Sequence, residues 1–253
     1  MVGAAALARP RISALGWLLI GLRLAMMLAL LVLCMPLYYL WRLLRLPRFW
    51  PRIFLGGVGL IAGLHITLEG RPHKGALLIS NHVSWLDIPA IAWATGSAFV
   101  GHSGLASVPL LRHLCEMNDT VFVARHDRGS VAGQVAQVRE AIAGTGALTI
   151  FPEGTTSDGT GLLPFKSSLL SAIDPLPPGL TVQPVLLDYA DAPEMAWVGE
   201  EPGLDNFKRI LARFRPLQLT AHFLPPLEGA ALANRKAMAT AAQDAIRAAM
   251  ERR

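Results

Sequence analysis

The stretch from Ala14 to Trp41, ALGWLLIGLRLAMMLALLVLCMPLYYLW, holds a single charged residue, Arg23. A run this apolar cannot sit all round in water. It has to be buried in protein or lie in lipid. Leu24 to Leu40 is uncharged and near the lower length limit of a membrane-spanning helix. Arg23 could snorkel to an interface. Tyr38, Tyr39 and Trp41 stand at one end as an aromatic belt would, and RLLRLPRFWPR follows with Arg42, Arg45, Arg48 and Arg52. Basic and aromatic residues interleaved in this way predict a membrane-surface stretch. Arg9 and Arg11 flank the other end, so charge bias favours a cytoplasmic Arg42 side only modestly. A secretory signal peptide is the rival reading, but no small-x-small cleavage site precedes the tyrosines. A buried core helix is the third. Spanning and interfacial anchoring both stay open.

The greasy composition is uneven. Hydrophobic residues are 53% of the 253 and charged residues 16%, with most of the excess before Ile66. We therefore divide the chain into a membrane-anchoring segment, residues 1–56, and a second domain, residues 57–253, large enough to bury its own core. The net charge of +5 suits nucleic acid, a membrane surface or an anionic substrate. With no RNP, zinc-finger or basic-zipper pattern, no nucleic-acid partner is expected. Cys34 and Cys115 supply neither a disulfide framework nor metal-ligand spacing, so no metal is expected and a reducing, cytoplasm-facing location is the default.

Beyond Gly57 short apolar runs alternate with helical ones. LHITLEG, GALLIS, SAFVGH, TVFVAR, LTVQPVLLDY and LQLTAHFLPPL read as strands, and GALTIFPEG as a strand running into a turn. DIPAIAWAT, with Asp87 as N-cap and Pro89 in the first turn, reads as a helix. So do SVAGQVAQVREAIAG, PFKSSLLSAI, LDNFKRILARF and Ala230 to Arg253. Alternation of this kind predicts an α/β fold, a mixed sheet covered by helices.

Two loops carry chemistry. NHVSWLD, Asn81 to Asp87, joins a strand to a helix, where α/β folds place their sites. It can fold back so that Asp87 reaches an imidazole nitrogen of His82. A carboxylate there fixes the tautomer, frees the other nitrogen as a base and stabilises the imidazolium. Such a pair can deprotonate a hydroxyl. Taken alone, Asp87 could be only a helix cap and His82 only a loop histidine. No serine nucleophile presents itself: GHSGL, Gly101 to Leu105, has Leu105 where a nucleophile elbow needs glycine. Ser84 reads as a turn residue. The dyad would then act on a substrate hydroxyl with a reactive acyl donor such as a thioester. FPEGTTSDG, Phe151 to Gly159, also follows a strand. Gly154 allows close backbone approach, Thr155, Thr156 and Ser157 could hold an oxyanion or phosphate, and Glu153 could bind a hydroxyl or orient a base. An ordinary turn is the other reading of that block.

Together the blocks resemble the PlsC-type lysophospholipid acyltransferases. The family's N-H-x-S-x-x-D is matched by Asn81, His82, Ser84 and Asp87. Its strand ending in arginine is matched by TVFVAR with Arg125, its F-P-E-G-T-x-S by Phe151 to Thr155 and Ser157, and its strand with proline by VQPV with Pro184. Lys166 stands in PFKSSLL, where the family has an F-K-x-G-like helix start. The resemblance runs from about Leu64 to Leu227. It implies that His82 is the general base on the acceptor hydroxyl and that Asp87 orients it. Arg125, Glu153, Gly154 and Thr155 would bind the acceptor with Asn81, Ser84 and Lys166, and Arg128 is a weaker candidate. The donor would be acyl-CoA or acyl carrier protein, with no cofactor. The acceptor would be a lysophospholipid, first 1-acyl-sn-glycerol-3-phosphate giving phosphatidic acid. The expected place is the inner (cytoplasmic) membrane, with the catalytic domain on its cytoplasmic face. One departure concerns the acceptor. Many phosphatidate-forming members have Arg after the third motif's Thr, and here it is Thr156. An Arg fork suits a phosphate dianion and a threonine does not. Lyso-ornithine lipid, or another lysolipid, is therefore the alternative acceptor. A non-catalytic lipid-binding protein on the same fold is a further alternative, and a hydrolase the last.

Overall fold

A computed structural model describes residues 12–102, 108–123, 144–199 and 201–252. The chain opens with two helices, α1 (Ala14–Leu43) and α2 (Trp50–Ala62). Then come β1 (Leu64–Gly70), β2 (Ala76–Ser80), α3 (Asp87–Thr95), β3 (Ala98–His102), α4 (Pro109–Met117), β4 (Val121–Val123) and β5 (Ala147–Ile150). A 3₁₀ segment, Ser167–Ile173, precedes β6 (Thr181–Tyr189), the short α5 (Ala192–Met195), α6 (Gly203–Leu211), β7 (Leu217–Phe223) and α7 (Arg235–Met250).

The strands form a mixed seven-stranded sheet in the order β1-β7-β6-β2-β5-β3-β4. β6 and β7 pair antiparallel, and the other pairs are parallel. β2 is central, and all of its residues are buried. Because side chains alternate along a strand, Ala76 and Leu78 enter one apolar cluster while Leu77 and Ile79 enter another. Helices cover both faces, as the alternating pattern requires.

The N-terminal helices are part of this body. Ser13 caps α1 by accepting from Gly16 N at 3.1 Å, and Ile20 joins the main core cluster. Arg23 does not snorkel. Its Nη1 donates to the carbonyls of Leu211 at 3.0 Å and Arg213 at 2.9 Å, the negative end of α6. The basic stretch after α1 also turns inward in part. Arg48 donates to Gly96 O at 2.9 Å and pairs with Asp119 at 3.0 Å, and Arg52 Nε donates to Trp93 O at 2.8 Å. Both arginines thus serve the carbonyl end of α3, which the sequence-based expectation of a lipid-facing stretch did not include. α2 runs without a break through residue 56, where the composition changes.

Several elements differ from their sequence expectation. The strand read over LQLTAHFLPPL ends at Phe223, ahead of Pro225 and Pro226, which have no N–H to give to a ladder. PFKSSLLSAI forms a 3₁₀ segment, with Leu169 N bonded to Lys166 O, rather than an α-helix. Serine hydroxyls compete with the backbone there: Ser171 Oγ donates to Ser168 O. The last α-helix begins at Arg235, because Asn234 accepts from Lys236 N and Ala237 N and so sets the cap. Asp87 is the first residue of α3 and not its N-cap, a position held by Leu86 without a side-chain bond. The helix expected over SVAGQVAQVREAIAG lies outside the described residues, but for its final Gly144.

Candidate active site

β2 and β5 are parallel neighbours, with Ile79 beside Ile150, so the loops that leave their C-terminal ends meet. Each loop holds the other. The backbone N–H of His82 donates to Glu153 Oε1 at 3.1 Å, and the His82 carbonyl accepts from Ser157 N at 2.7 Å and Ser157 Oγ at 3.2 Å. β6 braces the first loop from its other side. Asn81 Nδ2 donates to Leu187 O at 3.0 Å, and Leu187 N donates back to Asn81 Oδ1 at 2.7 Å. Ser84 is fully buried, its Oγ accepting from Leu86 N at 3.4 Å. Asn81 and Ser84 therefore shape the loop through the backbone.

The carboxylate of Asp87 is also fully buried. Oδ2 accepts from Val83 N at 2.7 Å and Ser84 N at 3.0 Å, so it is satisfied by the backbone ahead of its own helix. The same oxygen lies 2.7 Å from His82 Nδ1, and Oδ1 accepts from the hydroxyl of Tyr189 at 2.6 Å. A carboxylate on Nδ1 assigns the ring proton to that nitrogen and leaves Nε2 as the basic one. The His82 ring lies flat on Phe151, with centroids 4.3 Å apart and planes 19° apart. Its plane is fixed by the stack and its rotation by Asp87.

Glu153 is fully buried, a position the sequence expectation of direct acceptor binding did not foresee. Its oxygens accept from His82 N and Leu163 N. Burial pushes its carboxyl up to about 7, against the pull of those same hydrogen bonds. Its contact with the dyad runs through the His82 peptide group. Gly154 has φ +70°, and a Cβ there would lie 3.3 Å from Lys166 Nζ and 3.2 Å from Leu169 Cδ1. The turn needs a glycine because of that positive φ, and the Lys166 and Leu169 side chains pack close to it. Lys166 is exposed, as is Thr155, the residue after Gly154. Thr156 donates its hydroxyl to Trp197 O, which ties the turn to the loop before α6. Arg125 and Arg128 lie outside the described residues.

His82, Phe151, Gly154 and Thr155 line a cavity of about 840 Å³. Most of its other walls are apolar, among them Leu31 and Met35 of α1, Phe54 and Leu55 of α2, and Leu111 and Leu114 of α4, while Asn118, Thr120 and Glu201 add polar groups. A polar pair at one side of a largely apolar cavity suits a long apolar ligand with one reacting group. The sequence reading missed Tyr189, which ends β6 in an apolar run and meets Asp87 only through the fold. It also missed Trp197, whose only sequence signal is a lone aromatic in the loop AWVGEEP.

The profile of the Acyltransferase family matches residues 65–188. The lyso-ornithine lipid O-acyltransferase of Brucella abortus is 30% identical over 260 residues, covering 94% of this chain and 96% of that one. The chain is a member of the acyltransferase family. In this acyltransferase the matched region runs from β1 to the end of β6, so it contains both loops of the site. The 1-acyl-sn-glycerol-3-phosphate acyltransferase of Neisseria meningitidis is 40% identical over 141 residues, 53% of this chain and 54% of that one. Among solved structures, the PlsC 1-acyl-sn-glycerophosphate acyltransferase of Thermotoga maritima superposes with a TM-score of 0.59 at 18% identity. It covers 80% of this chain and 77% of its own, and so shares the fold.

Proposed function

We propose that this acyltransferase moves an acyl chain from acyl-CoA or acyl carrier protein to the free hydroxyl of a lysolipid, with His82 as general base. The observation that carries the mechanism is the 2.7 Å contact between buried Asp87 and Nδ1 of His82, a residue that lines the cavity. Nε2 takes the proton of the acceptor hydroxyl as its oxygen attacks the thioester carbonyl. The C–O bond forms, the C–S bond breaks, and the thiolate leaves with the proton from the imidazolium. Asp87 stabilises the imidazolium between those steps. The apolar walls from α1, α2 and α4 take acyl chains, and Thr155 and Lys166 stand where a head group would lie. Asn81, Ser84 and Glu153 hold the two loops in register. The resemblance to the family assigns Arg125 to the acceptor.

For the acceptor, lyso-ornithine lipid is the first to test. The nearly full-length likeness to the Brucella abortus enzyme supports it, and so does Thr156, whose hydroxyl is engaged by Trp197 where many phosphatidate-forming members carry Arg. Lysophosphatidic acid is the second reading, supported by 40% identity to the Neisseria meningitidis enzyme over about half of each chain. A labelled acyl thioester offered with both acceptors decides. Labelled ornithine lipid alone is the expected product. Labelled phosphatidic acid alone would reverse the order, and labelled free fatty acid without any acceptor product would mean a hydrolase.

We further propose that α1 lies in the membrane interface on the cytoplasmic face of the inner membrane. Among the described residues it is the one helix long and apolar enough to cross a bilayer. Yet Arg23 ties it to α6 and Tyr39 to His113 of α4 at 2.8 Å, so it runs along the domain. Leu18 and Leu43, 70% and 78% exposed, mark its outer face. Leaving such leucines in water costs on the order of 1.5–3 kcal/mol each relative to burial. In vesicles with the domain outward, protease should remove an N-terminal tag as readily as a C-terminal one. Protection of the N-terminal tag alone would mean that α1 spans.

A further inference from the structure

We propose that Tyr189 is a positioning residue for acyl transfer, its buried hydroxyl holding Asp87 so that the carboxylate fixes the His82 ring and sets its basicity. The inference rests on the general-base reading of His82. Tyr189 closes β6, 3% exposed, and its hydroxyl donates to Asp87 Oδ1 at 2.6 Å. The opposite oxygen, Oδ2, takes Val83 N, Ser84 N and His82 Nδ1. Both oxygens of the carboxylate are thereby committed, and the one facing the imidazole cannot rotate away. The same strand end holds the loop a second time through Leu187 and Asn81. A single strand therefore fixes both the path of the loop and the orientation of its acid.

The phenol is a dependable donor. Burial and the neighbouring Asp87 charge raise its ionisation well above the ordinary tyrosine value, so it stays protonated wherever the enzyme works. A hydrogen bond to a carboxylate spreads its negative charge. Removing that bond leaves more charge on Oδ2, which favours the imidazolium and keeps the base protonated to higher pH. Among the described residues, the titratable groups bonded to the pair are Tyr189 from β6 and Glu153 from the loop after β5. Glu153 contributes its own titration near pH 7 in wild type and variant alike, so the difference between their profiles belongs to Tyr189.

The test is Tyr189→Phe, which keeps the ring in place and deletes only the hydroxyl. The acid limb of the pH–kcat profile should move up by about half a unit to one unit. On the acid side of the profile kcat should fall about three- to tenfold, with KM for donor and acceptor unchanged. The Nδ1–H proton resonance of His82 should move as its bond to Asp87 strengthens. A merely structural tyrosine would lower Tm and leave the acid limb and that resonance where they are. That result, with His82→Ala inactive, overturns the role of Tyr189 and leaves the general base standing. Full activity in His82→Ala overturns both.

Discussion

His82→Ala loses acyl transfer by about 10³- to 10⁴-fold in kcat while the protein stays folded. The fold should survive because the ring is the only group removed. The neighbouring loop is held through the His82 backbone, which donates to Glu153 and accepts from Ser157, and alanine keeps both bonds. Asp87 would remain buried, but Val83 N, Ser84 N and the Tyr189 hydroxyl still donate to it. The loss of the stack on Phe151 should lower Tm by a few degrees at most. Rates with a labelled thioester and a lysolipid, with thermal melts of both proteins, check this. Turnover within tenfold of wild type in a folded variant would falsify the general-base assignment.

Asp87→Asn should cost nearly as much in rate, about 10³-fold, through a different loss. The amide oxygen can keep the bonds from Val83 N and Ser84 N, and the amide nitrogen can donate to the Tyr189 oxygen, whose hydroxyl hydrogen is free to rotate. The site is then filled and paired, but the charge that stabilises the imidazolium is gone. Since His82 and Asp87 act as one unit, the double variant should be no slower than His82→Ala alone. Multiplying losses in the double variant would show that Asp87 works independently of His82, as a structural cap for the loop. A drop in Asp87→Asn that tracks loss of folded protein would have the same meaning.

Elements bounded by strong local signals were the easiest to read. β1 covers the expected residues, Leu64–Gly70, and α3, Asp87–Thr95, covers the expected helix but takes in Asp87, expected as its N-cap. Both are set by local signals: strand-forming side chains closed by Gly70, and a helix stopped by Gly96 at φ +73°. Elements failed where local signals compete. The serine-rich run after Lys166 tightened into a 3₁₀ segment, and Asn234 started the last helix later than its apolar spacing suggested. The helix-end contacts of Arg23, Arg48 and Arg52 were not legible for a third reason. A basic residue beside a greasy helix reads equally as lipid-facing or as a helix cap, and only the position of the α6 and α3 carbonyl ends distinguishes the two.

By itself the sequence determined the fold class, the greasy character of the first helices and the two loops that meet at the site. Each is written in short-range periodicity, in composition or in fixed spacing, which backbone sterics and burial translate directly into structure. The tertiary structure alone decided that Glu153 is buried behind the His82 backbone, that α1 forms a wall of the cavity beside the dyad, and that Tyr189 supports Asp87. Those contacts join residues far apart in the chain. Their geometry follows from sheet order and strand register, which no stretch of local sequence contains.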